Sequence, residues 1–111
     1  MKPMTWDVKL SPDAEIDVAK ILQWTAQTFG ARQARVYEAT LTDALVALRS
    51  GPDILGVKKR DDLGPGIFTL HVARGGRKGR HFTVFRIGAD QIIDVLRLLH
   101  DSMDLTAHLP S

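Results

Sequence analysis

Apolar Trp6, Val8 and Leu10 alternate with Asp7 and Lys9, the two-residue period of a strand with one buried face, and predict a strand over residues 5–10. The period changes at Ser11-Pro12. A serine hydroxyl can accept an orphan helix amide, and proline at the first helical position forfeits no helical hydrogen bond. Asp13, Glu15 and Asp17 then set negative charge against the positive end of the helix dipole. Ala14, Val18, Ile21, Leu22, Thr25 and Phe29 form one stripe at helical spacing, which predicts a helix over residues 12–29. Trp24 lies on the flank of that stripe and Ile16 on the opposite face. Gly30 suits the C-cap because the left-handed conformation costs glycine nothing. A second stripe, Ala34, Tyr37, Leu41, Ala44, Leu45 and Leu48, predicts a helix over residues 32–49, stopped by Ser50-Gly51-Pro52. With one glycine between them the helices form an antiparallel hairpin, and Ala34 and Ala44 permit close approach.

Residues 53–66 read as loop, punctuated by Gly56, Gly64, Pro65 and Gly66. Strands are expected over residues 67–73, 81–87 and 91–99. The first pair is joined by the glycine-rich basic loop of residues 74–80, the second by a Gly88-Ala89-Asp90 turn, and such short links make antiparallel neighbours. The last apolar run also suits a helix, but its β-branched content and the preceding turn favour strand. Residues 101–111 read as a tail with one helical turn before Pro110. The expected architecture is α+β: a single domain over residues 1–111, with an N-terminal strand, an antiparallel two-helix hairpin and a three-stranded antiparallel meander, one helical layer on an antiparallel sheet.

Composition narrows the chemistry. The chain has no cysteine, which removes disulfides, thiolate metal ligands and cysteine nucleophiles, and suits the cytoplasm. No apolar run has the length of a signal peptide or a membrane span. The net charge of +2 conceals a strong asymmetry. Residues 57–86 hold eight Lys/Arg against Asp61 and Asp62, while the segments on either side are net acidic. A basic block of this kind meets nucleic acid, an acidic protein, or only solvent.

Three stretches resemble a known family. Leu10-Ser11-Pro12-Asp13-Ala14-Glu15-Ile16-Asp17 enters the first helix, Phe29-Gly30 leads to Ala34 and Tyr37 at the helix junction, and Val95-Leu96-Arg97-Leu98-Leu99-His100-Asp101-Ser102-Met103-Asp104 closes the sheet. The strand from Gly66 to Val72 fits as well. In order and spacing these are similar to plasmid-stabilisation toxins of the RelE/ParE superfamily, and the likeness covers nearly the whole chain. The resemblance implies the toxin of a type II toxin–antitoxin system, neutralised by a cognate ParD-like antitoxin that wraps the helical hairpin in a hetero-oligomer. ParE-like members poison DNA gyrase by binding it; RelE-like members cleave mRNA on the ribosome. A non-toxic interaction module on the same fold is the third reading.

Metal-free RNA cleavage needs a base, cations for the phosphorane and an acid. The candidates are Arg74, Arg86, Arg97 and His100, with Lys58 and Lys59. The terminal tyrosine of RelE-like nucleases is missing, since Tyr37 falls on a buried helical stripe, and the reading therefore favours a ParE-like protein without a catalytic site. Arg86 shares a face with Phe82 and Val84, and Arg97 with Ile93 and Val95, so structural salt bridges are the simpler role for both. Lys58-Lys59-Arg60 beside Asp61-Asp62 reads as local charge compensation. Arg74, Arg77, Lys78 and Arg80 are candidate target contacts, set against the plainer reading of a solvated hairpin tip, and the acidic segment from Asp101 is another. Ile16, Trp24, Val36 and Val46 lie off the core stripes and are candidate antitoxin contacts. His71, His81, His100 and His108 lack metal-ligand spacing, His100 with Asp101 and Asp104 has no nucleophile, and no cofactor or metal is expected.

Overall fold

The computed structural model describes residues 5–103. Strand β1 (Asp7–Leu10) leads into α1 (Pro12–Phe29) and α2 (Ala31–Ala47), a 3-10 turn spans Leu48–Ser50, and the strands β2 (Lys58–Lys59), β3 (Ile67–His71), β4 (His81–Ile87) and β5 (Ile92–His100) follow. The architecture is α+β, a helical hairpin on one sheet of order β1-β5-β4-β3-β2. The tail's expected helical turn, Asp104 and His108 lie outside the described residues.

The capping signals act as their chemistry dictates. Ser11 Oγ accepts from Ala14 N at 3.0 Å and donates to Leu96 O at 2.8 Å, so one hydroxyl caps α1 and ties it to β5. Gly30 takes φ +95° and ψ 163°, an extended positive-φ conformation rather than the left-handed helical one expected. Its N–H donates to Ala26 O and its carbonyl accepts from Ala34 N, so a single residue ends one helix and starts the next. The two helices differ in length by one residue and therefore return the chain to its start, where Trp6 N donates to Arg49 O at 2.9 Å.

Two expectations about the sheet are corrected. Residues 53–66 are not all loop, because Lys58 and Lys59 pair antiparallel with Thr69 and Phe68 as a short edge strand. Nor is the sheet wholly antiparallel: β1 runs parallel to β5, with Asp7 opposite Ile92 and Leu10 opposite Val95. The helical hairpin returns the chain to the foot of β1, and the three antiparallel pairings β2–β3, β3–β4 and β4–β5 then leave β5 alongside β1 in the same sense. The turn before β5 is centred one residue later than expected. Asp90 and Gln91 both have positive φ (56° and 57°) and Ile92 N donates to Ala89 O, the pattern whose twist matches an antiparallel hairpin.

The main core lies between helices and sheet and contains Ala14, Leu41, Ala44, Leu48, Leu70, Val72, Phe85, Ile93, Val95 and Leu98. Val84 and Leu99, joined by Leu63, Ile67 and Phe82, form a smaller cluster. Phe29 departs from its predicted stripe: it is 62% exposed and meets Trp24 edge to face. A bulge in the β4–β5 pairing skips Leu96, so Phe85 faces Val95 while Val84 faces Arg97. Arg97 is thereby displaced from the row of Ile93 and Val95 that simple alternation assigns to it. Its guanidinium instead grips Asp17 of α1, from Nε at 2.7 Å and Nη2 at 3.0 Å, and Leu98 N donates to the same carboxylate at 3.0 Å.

Because that carboxylate is shielded and answers three donors, Asp17→Ala should lower stability by about 3 kcal/mol. Asp13→Ala, at an exposed position one turn earlier in α1, should cost about 0.5 kcal/mol. Urea unfolding of the two variants measures the difference, and equal midpoints would show that the clamp contributes nothing.

Candidate functional site

Beyond Val18, Ile21 and Leu22, which pack against the core, the far part of the hairpin leaves open space beside the sheet. That part of the hairpin and the β3–β4 loop bound a groove of about 920 Å³. Buried Thr25 and Thr40 lie at its base, their hydroxyls spent on Ile21 O and Val36 O of their own helices. Trp24, Phe29 and Val36 form an apolar wall, 59%, 62% and 50% exposed respectively. Trp24 and Phe29 meet at 79° with centroids 5.7 Å apart, the edge-to-face geometry that aromatic quadrupoles favour. Lys20, Arg77, Lys78 and Arg80 place positive charge along the rim, and Gln33 and Met103 complete the mouth.

The inner end is polar. Tyr37 Oη lies 2.7 Å from His81 Nδ1 and accepts from Arg80 N at 3.1 Å. With the backbone amide donating to the phenol oxygen, the phenol proton is left to point at Nδ1, which fits a neutral His81. Burial, reinforced by the neighbouring His100, pushes His81 down from 6.5 to about 4, and burial pushes the Tyr37 phenol up. The His81 and His100 rings meet edge to face at 5.2 Å. Asp101 closes this end: one oxygen accepts from His71 Nε2 and the other from Arg80 Nε, each at 3.0 Å. The first of these bonds does most to hold the Asp101 carboxyl below the ordinary range. His71 Nδ1 accepts from Ala73 N, which leaves the Nε2 proton for Asp101.

The sequence-nominated residues are distributed unevenly around this groove. Trp24 and Val36 line it, whereas Ile16 and Val46 are exposed on the other half of the hairpin. Arg77 pairs with Asp43 of α2, Arg80 with Asp101, and Lys78 stays exposed on the rim. Arg74 is not among the lining residues; its Nη2 donates to Leu55 O at 3.3 Å, and its buried Nε has no hydrogen-bond partner among the described residues. The four residues nominated for RNA cleavage do not converge. Arg86 is exposed, 4.0 Å from Asp94, Arg97 is on Asp17, Arg74 is on the Leu55 loop, and of the four only His100 reaches the groove. Lys58 and Lys59 are exposed on the edge strand.

Phe29, Tyr37 and His81 are groove residues that the sequence reading did not nominate. Phe29 sits five residues from Trp24, a spacing that does not by itself mark a shared helix face; Tyr37 and His81 are separated by 44 positions, and no local pattern relates them. Among the described residues no three or more His, Asp or Glu side chains converge on a possible metal position, and no helix is long and apolar enough to cross a membrane.

Residues 8–105 match the family described as ParE toxin of type II toxin-antitoxin system, parDE. Toxin ParE1 of Mycobacterium tuberculosis strain CDC 1551 / Oshkosh is 30% identical over 100 residues, spanning 90% of this chain and 94% of that protein. The same figures hold for Toxin ParE1 of strain ATCC 25618 / H37Rv. Among solved structures, the chromosomal ParDE system from P. aeruginosa aligns with a TM-score of 0.72 at 19% identity, covering 89% of this chain and 98% of that chain. The toxin–antitoxin complex RelBE2 from Mycobacterium tuberculosis aligns at 0.55 with 20% identity, covering 86% and 98%. At these identities the two structures establish the fold.

An unfolded histidine takes up its proton near pH 6.5, whereas folded His81 waits until about pH 4. The stability contributed by neutral His81 is therefore complete above about pH 6.5 and is lost progressively as pH falls toward 4. The melting-temperature advantage of the wild type over His81→Gln should shrink between pH 7 and pH 4, as read by thermal unfolding at constant ionic strength. A constant difference would place His81 outside this linkage.

Proposed function

The chain belongs to the ParE toxin family of type II toxin–antitoxin systems, and on that premise we propose that it acts by binding and poisoning DNA gyrase and is neutralised by a ParD-like antitoxin seated in the groove. The observation that carries the antitoxin half is the apolar wall of Trp24, Phe29 and Val36, open to solvent at the mouth of the groove. An aromatic pair exposed beside a deep groove gains most when a partner side chain displaces its water. The cationic rim favours a segment carrying carboxylates beside its apolar anchors. Ile16 and Val46 extend the exposed apolar surface along the hairpin and serve as outlying contacts in this reading. Arg77, Lys78 and Arg80 then meet the antitoxin in the neutralised complex and become available to the target when the groove is vacated.

The gyrase half rests on family membership together with the dispersal of the cationic candidates. A binding poison requires no convergent acid, base and cation set, and Arg74, Arg86, Arg97 and His100 do not supply one. Expression without antitoxin should induce the SOS response and accumulate gyrase–DNA cleavage complexes. Codon-positioned mRNA cuts on translating ribosomes would establish the RelE-like activity instead, and unimpaired growth would leave an interaction module.

Replacing Trp24 by Asp should weaken antitoxin binding by at least about thirtyfold, the equivalent of a hot-spot residue worth about 2 kcal/mol. Val36→Asp should act in the same direction. Titration calorimetry against the antitoxin measures both, and unchanged affinity in both variants would remove the groove from the interface.

A further inference from the structure

Leu55 is 91% exposed, well beyond Phe29, the next most exposed large apolar residue among those described. A lone exposed leucine is ordinary on protein surfaces. This one is fixed in place. Val57 N donates to Ile54 O at 3.2 Å and Gly56 takes φ +99°, the pattern of a type II turn with Leu55 at its first corner. The residues at either end of the turn, Ile54 and Val57, both pack against the main core. The Gly56 α-carbon faces Leu70 so closely that an added β-carbon would lie 3.3 Å from its methyl group. From the side, the Arg74 guanidinium holds the Leu55 carbonyl. That arginine is itself carried by a tight turn in which Gly75 and Gly76 have φ +59° and +81° and Arg77 N donates to Arg74 O.

The outcome is an apolar knob on a rigid mount, outside the groove, and flanked by cations. Lys58 and Lys59 stand exposed on the edge strand three and four residues along, and Arg74 lies alongside. The one carboxylate between residues 51 and 60, Asp53, is turned back toward Gly51. A partner that buries Leu55 loses little conformational entropy on the toxin's side, and the surrounding charge calls for carboxylates around its apolar socket.

We propose that Leu55, mounted between Arg74 and the Lys58-Lys59 edge, is the contact through which this toxin engages its target, a protein surface offering an apolar socket rimmed by carboxylates. The inference rests on the reading that the toxin acts by binding a protein. Arg74 thereby belongs to a target surface separate from the groove rim, where Arg77, Lys78 and Arg80 become available only once the antitoxin has left.

The test uses the full chain bearing Leu55→Asp, with Leu55→Ala as a milder lesion and Leu55→Met as the conservative rescue. Each is expressed without antitoxin and compared with wild type for growth arrest, antitoxin affinity and melting temperature. Leu55→Asp should require at least tenfold more protein for the same arrest, with Leu55→Ala intermediate and Leu55→Met near wild type. Antitoxin affinity should stay within twofold and the melting temperature should be unchanged. Lys58→Glu with Lys59→Glu should also weaken arrest. If wild type arrests growth and Leu55→Asp does so equally well, the Leu55 contact is wrong while the binding-poison reading survives. If Leu55→Asp loses antitoxin affinity in the same proportion as toxicity, Leu55 belongs to the antitoxin surface instead. A wild-type chain that arrests nothing overturns both readings together.

Discussion

The Asp17 carboxylate is the fastening on which the rest of the molecule depends. Strand β1 covers β5 only as far as Val95, and beyond it the strand edge is open. Asp17 fills that gap from the helical layer by accepting two bonds from Arg97 and one from the Leu98 amide. Ser11 adds a bond from its hydroxyl to Leu96 O and one from its amide to Val95 O. The first turns of α1 thus do for β5 what a longer β1 would have done. An open edge is satisfied without another strand, and the helical hairpin is pinned to the sheet at one end.

Pinning at one end has a consequence at the other. Past Ile21 and Leu22, which still pack against the core, the far part of the hairpin and the β3–β4 loop bound the groove. Its two ends differ in character. The mouth carries exposed aromatic surface and cations along its rim, suited to a partner that brings apolar anchors and negative charge. At the inner end, Tyr37, His81, Asp101, His71 and Arg80 hold one another by hydrogen bonds and ion pairs. A depressed histidine pKa is often a sign of catalysis. Here His81 is depressed mainly by burial, and its Nδ1 is already committed to a phenol from the adjoining helix, which suits a rigid support for the groove.

The basic block resolves into neighbourhoods with separate physical roles. Arg60 is occupied with Asp62, Arg77 with Asp43, and Arg80 with Asp101. Lys58, Lys59 and Lys78 are exposed, and Arg74 braces the turn that lifts Leu55. A net of positive charge along a sequence is therefore not a single patch in space. Some of it is consumed as structure, and the remainder is divided between the groove rim and the Leu55 turn.

Much of this was written in local sequence. Both helices, their serine cap and glycine joint, and the three long strands follow from periodicities and capping chemistry that act over a few residues, so a single stretch of chain carries the information. Exposed Trp24 and Val36 were legible for the same reason, as large apolar side chains off their helical stripes. What depended on contacts between distant segments was not legible. The parallel pairing of β1 with β5 joins residues about 85 positions apart, the two-residue β2 is too short to have a period, and the Leu96 bulge reverses an alternation that sequence alone continues unbroken. Phe29 had the right spacing for the core but lies where the hairpin has already left the sheet. The groove exists only in three dimensions, because Trp24, Tyr37, Arg77 and His81 come together through helix packing and strand pairing, and nothing in their spacing along the chain requires them to meet.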